Sequence, residues 1–268
     1  MTTTACAICS GNGMHLRYPE AIDYLTGDRF EVWTCTVCGS GRTEPVPGNL
    51  HRHYPPRYRQ YHLAIKWILQ LLYHHRVKRW ARLFSRPGTA FEMGCGDAMM
   101  LASLSRLGWQ VLGSERTEES AAAARMKSGL PIVVGGPEAI DPTARFDLIV
   151  LNQVLEHLDA PGAVITQLAG MLAPGGKLVI DVPNFASWQS LFGGTGWFHL
   201  DVPRHLHHFT RPSLTLLLRR HGLKVTAVSY VSPEHDVFGW VQSILKSARS
   251  PDQQVDSAAH AHRPASAS

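Results

Sequence analysis

Four of the five cysteines fall into two closely spaced pairs, Cys6-x-x-Cys9 and Cys35-x-x-Cys38. Two such knuckles, the second followed by Gly39, can aim four thiolates at one tetrahedral Zn2+. Four thiolates complete the coordination sphere and leave no position for a reacting water, so the expected role of this metal is structural. The run Glu92-Met93-Gly94-Cys95-Gly96-Asp97-Ala98 offers different chemistry, because it is a G-x-G turn between a short apolar segment and a helical one. Glycine admits backbone angles that a side chain forbids and lets a ligand lie against the main chain. A helix starting after such a turn surrounds the ligand with amide N–H groups, which describes a pocket for a nucleotide-like cofactor. Glu92 is misplaced for a phosphate and suits a cationic ligand. Glu115 follows about 20 residues beyond the turn, the distance at which a carboxylate takes ribose hydroxyls. Taken alone, the turn also fits NAD, and Glu115 also fits a solvated strand end.

A third group lies at Phe192–Thr210, which combines glycines, aromatics, one arginine and four histidines. This composition is expected to form a mobile lid carrying acid-base groups. Within it His205 is the candidate base, Arg204 is suited to bidentate binding of an acceptor carboxylate or phosphate, and Trp197 is suited to wall the pocket, with His208 beside them. The alternative for Arg204 and His205 is that they tie this segment to the sheet by hydrogen bonds. Glu156-His157 has two readings as well, a helix-initial pair that caps and packs, or a chemical role.

The elements that must position these groups alternate between strand and helix. Phe91 opens on the turn from a strand, Trp109–Ser114 is a second strand, Phe146–Leu151 a buried one, and Gly176–Asn184 another after the turn Ala173-Pro174-Gly175. A helix is expected to start over Asn152–Leu158. Such alternation predicts a parallel sheet covered by helices. Between the knuckles, Tyr24–Trp33 reads as a hairpin turning at Thr26-Gly27-Asp28. Tyr61–Phe84 has helical periodicity, with Lys66, Gln70, His74, Lys78 and Arg82 opposite Ile65, Leu69, Leu72, Tyr73 and Trp80, so its apolar face is expected on the sheet. Thr210 as N-cap opens a helix over Ser213–His221, followed by a strand over Leu223–Tyr230, and a short helix is expected over Asp236–Leu245.

In this order the turn, the acidic strand end, the F-D-x-I run, the E-H pair and the L-x-P-G-G run resemble the class I S-adenosylmethionine (SAM) methyltransferases, over residues 80–231. The resemblance implies an α/β, Rossmann-like parallel sheet flanked by helices, here with a small N-terminal zinc-ribbon-like module. It implies that Gly94, Cys95 and Gly96 back the methionine part of SAM, that Glu92 faces its ammonium side, that Glu115 holds the ribose, and that Asn152, Gln153 and Val154 line the floor. Two positions depart from the family pattern: Gly135-Gly136-Pro137-Glu138 replaces the usual acidic residue near the adenine, and a seventh strand has no candidate. The linker His53–Tyr61 is similar to tyrosine-rich linkers of zinc-ribbon-bearing bacterial methyltransferases that fold over the cofactor, which implies that Tyr58 and Tyr61 cover the sulfonium. The P-R-H-L-x-H-F run is similar to a segment of methyltransferases of glycan, lipid or secondary-metabolite pathways and of sugar C-methyltransferases.

The expected organisation is a ribbon module over 1–48, a linker and basic helix over 49–86, a SAM-binding domain over 87–246 and a disordered tail over 247–268. The chain has a net charge of +5 with 44% hydrophobic and 18% charged residues, ordinary for a globular enzyme. Residues 45–91 hold nine Lys and Arg and no acid, which admits an acidic partner but more simply makes a solvated face. Neither a secretory signal nor a membrane-spanning run is expected, and thiols without disulfides point to the cytoplasm. The function expected is O-methylation of a small-molecule or carrier-linked acceptor, favoured over sugar C-methylation because oxygen needs only a positioned base. RNA methylation through the basic helix is disfavoured by the lack of an N-P-P-Y-like run after Leu151, and a SAM-fold scaffold by the intact glycines and Glu115. An unpaired sheet edge leads to the expectation of a homodimer.

Overall fold

The computed structural model of the chain describes residues 5–54 and 63–232. A five-stranded sheet is built from β4 (Thr89–Met93), β5 (Gln110–Glu115), β6 (Ile132–Val134), β7 (Phe146–Asn152) and β8 (Leu172–Asp181), in the order β6-β5-β4-β7-β8. Every pairing in it is parallel. Parallel strands must be connected by crossovers, and α2 (Met99–Arg106), α3 (Glu118–Ser128) and α4 (Pro161–Gly170) supply them. Their small and aliphatic residues bury against the strands: Leu101 and Leu104 of α2, Ala121 and Ala124 of α3, Ile165 and Leu168 of α4 are all nearly inaccessible. The order reverses between β4 and β7, so a crevice opens beyond the ends of these two strands, where open α/β sheets bind ligands.

The second sheet is antiparallel, with order β1-β2-β3-β9 from β1 (Met14–Ile22), β2 (Arg29–Cys35), β3 (Gly41–Glu44) and β9 (His207–His208). Its first two strands form the expected hairpin, β3 pairs on after the second cysteine knuckle, and its fourth strand comes from the histidine-rich segment far along the chain. Helix α1 (Leu63–Ala81) packs Val77, Tyr73 and Trp80 with Ala90, Leu148 and Val150 of the parallel sheet. Cys6, Ile8, Cys35 and Cys38 share one apolar cluster with Phe91, Ile149, Phe209 and Leu217, so the ribbon and the large sheet have a common core. No described helix is long and apolar enough to cross a membrane.

Three expectations about elements are corrected. Residues 223–230 form no strand, and Val228, Tyr230 and Val231 stand exposed; just beyond them Ser232 Oγ donates to Asp181 at the end of the edge strand β8, but no strand pairing forms along that edge among the described residues. No helix starts at Asn152. Gln153 adopts φ +57°, which breaks right-handed continuation, so a single 3-10 turn spans Leu155–His157 and α4 begins only at Pro161. The turn Ala173-Pro174-Gly175 lies inside β8, absorbed as a register irregularity opposite Phe146–Leu148. Thr210 does cap a helix, α5 (Arg211–Arg220), through a capping box with Ser213. Tyr58, Tyr61, the helix expected over Asp236–Leu245 and the tail over 247–268 lie outside the described residues.

Candidate active site

The crevice is formed first by the turn after β4. Gly94 has φ +69°, and a Cβ there would come within 2.7 Å of Val154 Cγ2, so glycine is required both by conformation and by the floor beneath it. Gly96 has φ +55°, and a Cβ there would meet nothing within 4 Å, which leaves room for a ligand against the main chain. The amides of Gly94 and Cys95 both donate to the Ser114 carbonyl, which fixes the turn to β5. Glu115, at the end of β5, accepts the Gly96 N–H at 2.5 Å. Cys95 is a buried thiol that burial, then Glu92 and Glu115, hold protonated.

Glu92 is 3% exposed, and burial followed by the nearby Glu115 pushes its carboxyl up to about 8. Its Oε2 has no hydrogen-bond partner among the described residues, and the same holds for Ser114 Oγ, Asn152 Oδ1 and Gln153 Oε1. Buried polar atoms of a folded protein are nearly always paired, so four orphans around one crevice indicate a polar, positively charged occupant. Gln153 adds backbone strain in the left-handed region, a feature that concentrates at binding sites. These groups fit SAM: a cation for Glu92, ribose hydroxyls for Glu115, and acceptors on the floor. On the adenine side the Gly136 N–H donates to Glu138 Oε1 at 2.6 Å, so this carboxylate closes its own turn.

Next to the floor stands a cluster beyond the end of β7. Glu156 and His205 have side chains only 1% exposed, and His157 18%. Glu156 Oε1 lies 3.8 Å from His205 Nε2 and 4.0 Å from His157 Nε2. His205 Nδ1 is 2.8 Å from the His199 carbonyl, and His157 Nδ1 is 2.9 Å from the Arg204 carbonyl. A carbonyl only accepts, so both rings carry a proton on Nδ1 and turn Nε2 towards Glu156. Asp201 Oδ2 is 3.8 Å from His205 Nε2, and the two imidazoles meet edge to face at 4.6 Å.

The histidine-rich segment is otherwise a buried strap and not a free lid. Arg204 is wholly inaccessible. Its Nε donates to Asp201 and its Nη2 to Asp23 and the Val202 carbonyl; Nη1 reaches the His53 carbonyl, and the guanidinium stacks 4.4 Å over Tyr24. Burial alone would raise Asp23, but the charge of Arg204 and hydrogen bonds from His53, the Leu25 amide and Thr26 outweigh it and lower the carboxyl. Trp197 is 2% exposed, stacks on Phe185 and donates to Gln189 Oε1 at 3.2 Å. Burial, then His207 and Arg17, drives His208 down to about 3, which keeps it neutral. Thr43 Oγ1 donates to the His205 carbonyl at 2.7 Å and accepts from His208 Nε2 at 2.9 Å. Of the four residues expected at the acceptor, only His205 thus joins a cluster bordering the crevice.

Residues that the sequence did not single out are Asp23, His53, Thr43 and Tyr54. Tyr54 has its hydroxyl 3.3 Å from His157 Nδ1 and its ring 4.9 Å from the guanidinium of Arg116, the residue after Glu115, and so links that strand end to the histidine cluster. Its membership of the aromatic linker was the one available signal.

The cysteines converge as their spacing predicts. Sγ atoms of Cys6 and Cys38 are 3.7 Å apart, those of Cys9 and Cys35 3.5 Å, and all four lie within 4.8 Å of one another. Thiolates bound to one Zn2+ at roughly 2.3 Å stand roughly 3.8 Å apart, so the set fits a tetrahedral ion. Amides of Ile8, Gly11 and Val37 point at Cys6, Cys9 and Cys35 sulfurs at 3.4 Å, the geometry of two knuckles. Burial disfavours the thiolate at Cys6, but Ser40 and neighbouring amides overcome it and bring that thiol to about 7.

A family model described as a methyltransferase domain matches residues 58–228, more than half of the chain. The ubiquinone biosynthesis O-methyltransferase of Bradyrhizobium diazoefficiens is 36% identical over 147 residues, 50% of this chain and 58% of the relative. That of Xanthomonas axonopodis pv. citri is 30% identical over 162 residues, covering 56% of this chain and 68% of the relative. The chain therefore spans little more than half the length of the first of these. Among solved structures, the magnesium protoporphyrin IX methyltransferase of Synechocystis PCC 6803 aligns with TM-score 0.52 and 16% identity over 66% of this chain and 85% of that one, a likeness of fold. With the crevice, its orphaned acceptors and the family match in agreement, this chain belongs to the methyltransferase-domain family.

Proposed function

We propose that this enzyme methylates an oxygen of a small-molecule or carrier-linked acceptor, with Glu92, Gly94, Cys95, Gly96, Glu115 and Asn152–Val154 holding SAM and the Glu156–His157–His205 cluster facing the acceptor. The observation that carries the reading is the pair of imidazoles with fixed tautomers beside the floor of the crevice. SAM supplies an electrophilic methyl on a sulfonium. An oxygen acceptor must lose its proton as the methyl arrives, and His205 Nε2 is a lone pair held in place for it by the His199 carbonyl. Glu156, 3.8 Å away, stabilises the imidazolium that results. Arg204, Trp197 and His208 then serve by positioning this cluster, since their polar atoms are engaged within the protein. The O-methyltransferase names of the two bacterial relatives support the same choice of atom.

The four-cysteine site is proposed to hold a structural Zn2+, and five free thiols suit a reducing compartment such as the cytoplasm. Metal analysis of the purified chain checks the first part and is expected to give zinc lost on Cys-to-Ser exchange. For the reaction, His205→Ala is expected to lower methyl transfer to catechols, phenols or sugar hydroxyls about 100-fold or more, with SAM affinity within about twofold. Unchanged turnover removes His205 from the reaction. Transfer only to carbon or nitrogen acceptors removes the O-methylation reading.

A further inference from the structure

The cluster beyond β7 has the donor set of a metal centre. One ligand atom from each of Glu156, His157 and His205 lies within 4.8 Å of the other two. Ligands at roughly 2.0–2.1 Å from a tetrahedral Zn2+ stand roughly 3.4 Å apart, so the 3.8 and 4.0 Å edges of this cluster need to close by only about half an ångström. The surroundings point the same way. A histidine bound to a metal nearly always gives its other ring N–H to a carbonyl or carboxylate, which fixes the ring. Both histidines do this, His157 to the Arg204 carbonyl and His205 to the His199 carbonyl. The two strands of chain are also tied together, since the Leu206 amide donates to the Glu156 carbonyl at 2.9 Å. Asp201, 3.8 Å from His205 Nε2, adds negative charge that favours a cation.

We infer that Glu156, His157 and His205 bind a divalent transition-metal ion of the Zn2+, Mn2+ or Fe2+ class, separate from the four-cysteine site, and that this ion receives the acceptor oxygen. Two imidazoles and one carboxylate suit such ions; Mg2+ and Ca2+ prefer oxygen donors throughout. Three protein ligands leave at least one position open, and His157, the one partly exposed member, marks the side from which an acceptor reaches it. On the ion an acceptor hydroxyl becomes more acidic and gives its proton to water. The oxyanion then forms the O–C bond as the C–S bond breaks, with the electron pair passing to sulfur to leave the neutral thioether. This inference rests on the O-methylation reading for what fills the open position and replaces one step of it: with His205 Nε2 on the ion, the acceptor proton passes to water and not to His205.

Titration of the metal-free, full-length chain with Co2+ tests it, because thiolate-bound cobalt shows an intense charge-transfer band that imidazole- and carboxylate-bound cobalt lacks. Two equivalents are expected, one with and one without that band. Glu156→Gln with His205→Ala is expected to abolish the second alone. His157→Asn, at a partly exposed position, is expected to weaken it at least tenfold, with the thiolate band and SAM binding as checks of the fold. A single equivalent in the unaltered chain, or a second that survives these substitutions, overturns the site. If one equivalent binds and His205→Ala still abolishes O-methylation, the function reading stands without the ion. If two bind and no hydroxyl acceptor is methylated, the site stands and that reading falls.

Discussion

The crevice proposed for the cofactor and the histidine-rich wall beside it are built in opposite ways. The groups assigned to the crevice among the described residues come from one stretch, Glu92 to Val154, in which each strand hands its residues to the next turn. The wall joins segments far apart in the chain: β3 pairs with β9, Thr43 holds the His205 carbonyl, and Arg204 is clasped by Asp23 and the His53 carbonyl. In the crevice polar atoms are left bare for a ligand, whereas in the wall Arg204 and His208 are turned to the protein's own partners. An arginine or histidine type therefore indicates ligand chemistry only where its partners are missing.

Arg204→Ala gives the largest expected effect and the sharpest break of the contrast. Removing it leaves Asp23 and Asp201 without their counter-charge; Asp23 is wholly inaccessible, and breaking a buried pair costs about 3–5 kcal/mol. Denaturant unfolding should show this loss, and turnover should fall while SAM affinity stays within about threefold. Should the variant be as stable as the parent and simply raise KM for the acceptor, Arg204 is a substrate ligand and the two regions are built alike.

Gly94→Ala probes the crevice by the same logic with a smaller effect. The added methyl would press on Val154 Cγ2 in a left-handed backbone, a cost of about 1–3 kcal/mol. Gly96→Ala meets no atom within 4 Å, so it should leave stability higher than Gly94→Ala does and weaken SAM directly by filling the cradle. Equal losses in both variants, measured by unfolding and by calorimetric SAM titration, would mean that the two glycines are not divided between floor and ligand.

Legibility followed locality. The turn after β4 and the carboxylate at the end of β5 could be placed because strand, glycine turn and helix are neighbours in sequence, whereas Asn152–Val154 entered only through the family resemblance. The four cysteines were readable for a similar reason, since each knuckle is local and tetrahedral thiolate chemistry joins the two. Trp197, Arg204 and His208 were misleading because the groups that satisfy them, Gln189, Asp23 and Thr43, include two from the other end of the chain. The apolar run at 223–230 has strand-forming residues but forms no strand pairing, and β-propensity without pairing makes no strand. The Glu156–His157–His205 cluster was half visible as an E-H pair; its third member arrives from residues that only the fold brings back.

A last prediction separates the two regions by pH. Glu92 titrates at about 8 because burial and Glu115 disfavour its anion, and a cation in the crevice favours the anion. The folded, ligand-free chain holds this proton more tightly than the unfolded chain does, so this carboxyl's contribution to stability is largest below about 4.5 and falls as pH rises towards about 8. SAM binding runs the other way. Below about 8 it must release the Glu92 proton, so affinity should rise with pH by at most roughly tenfold per unit and level off above about 8. Calorimetry in buffers of different ionisation heat should detect that proton near neutrality, and Glu92→Gln should remove both the proton and the slope. A slope that survives in Glu92→Gln but disappears in His205→Ala would move the titrating group from the crevice to the wall.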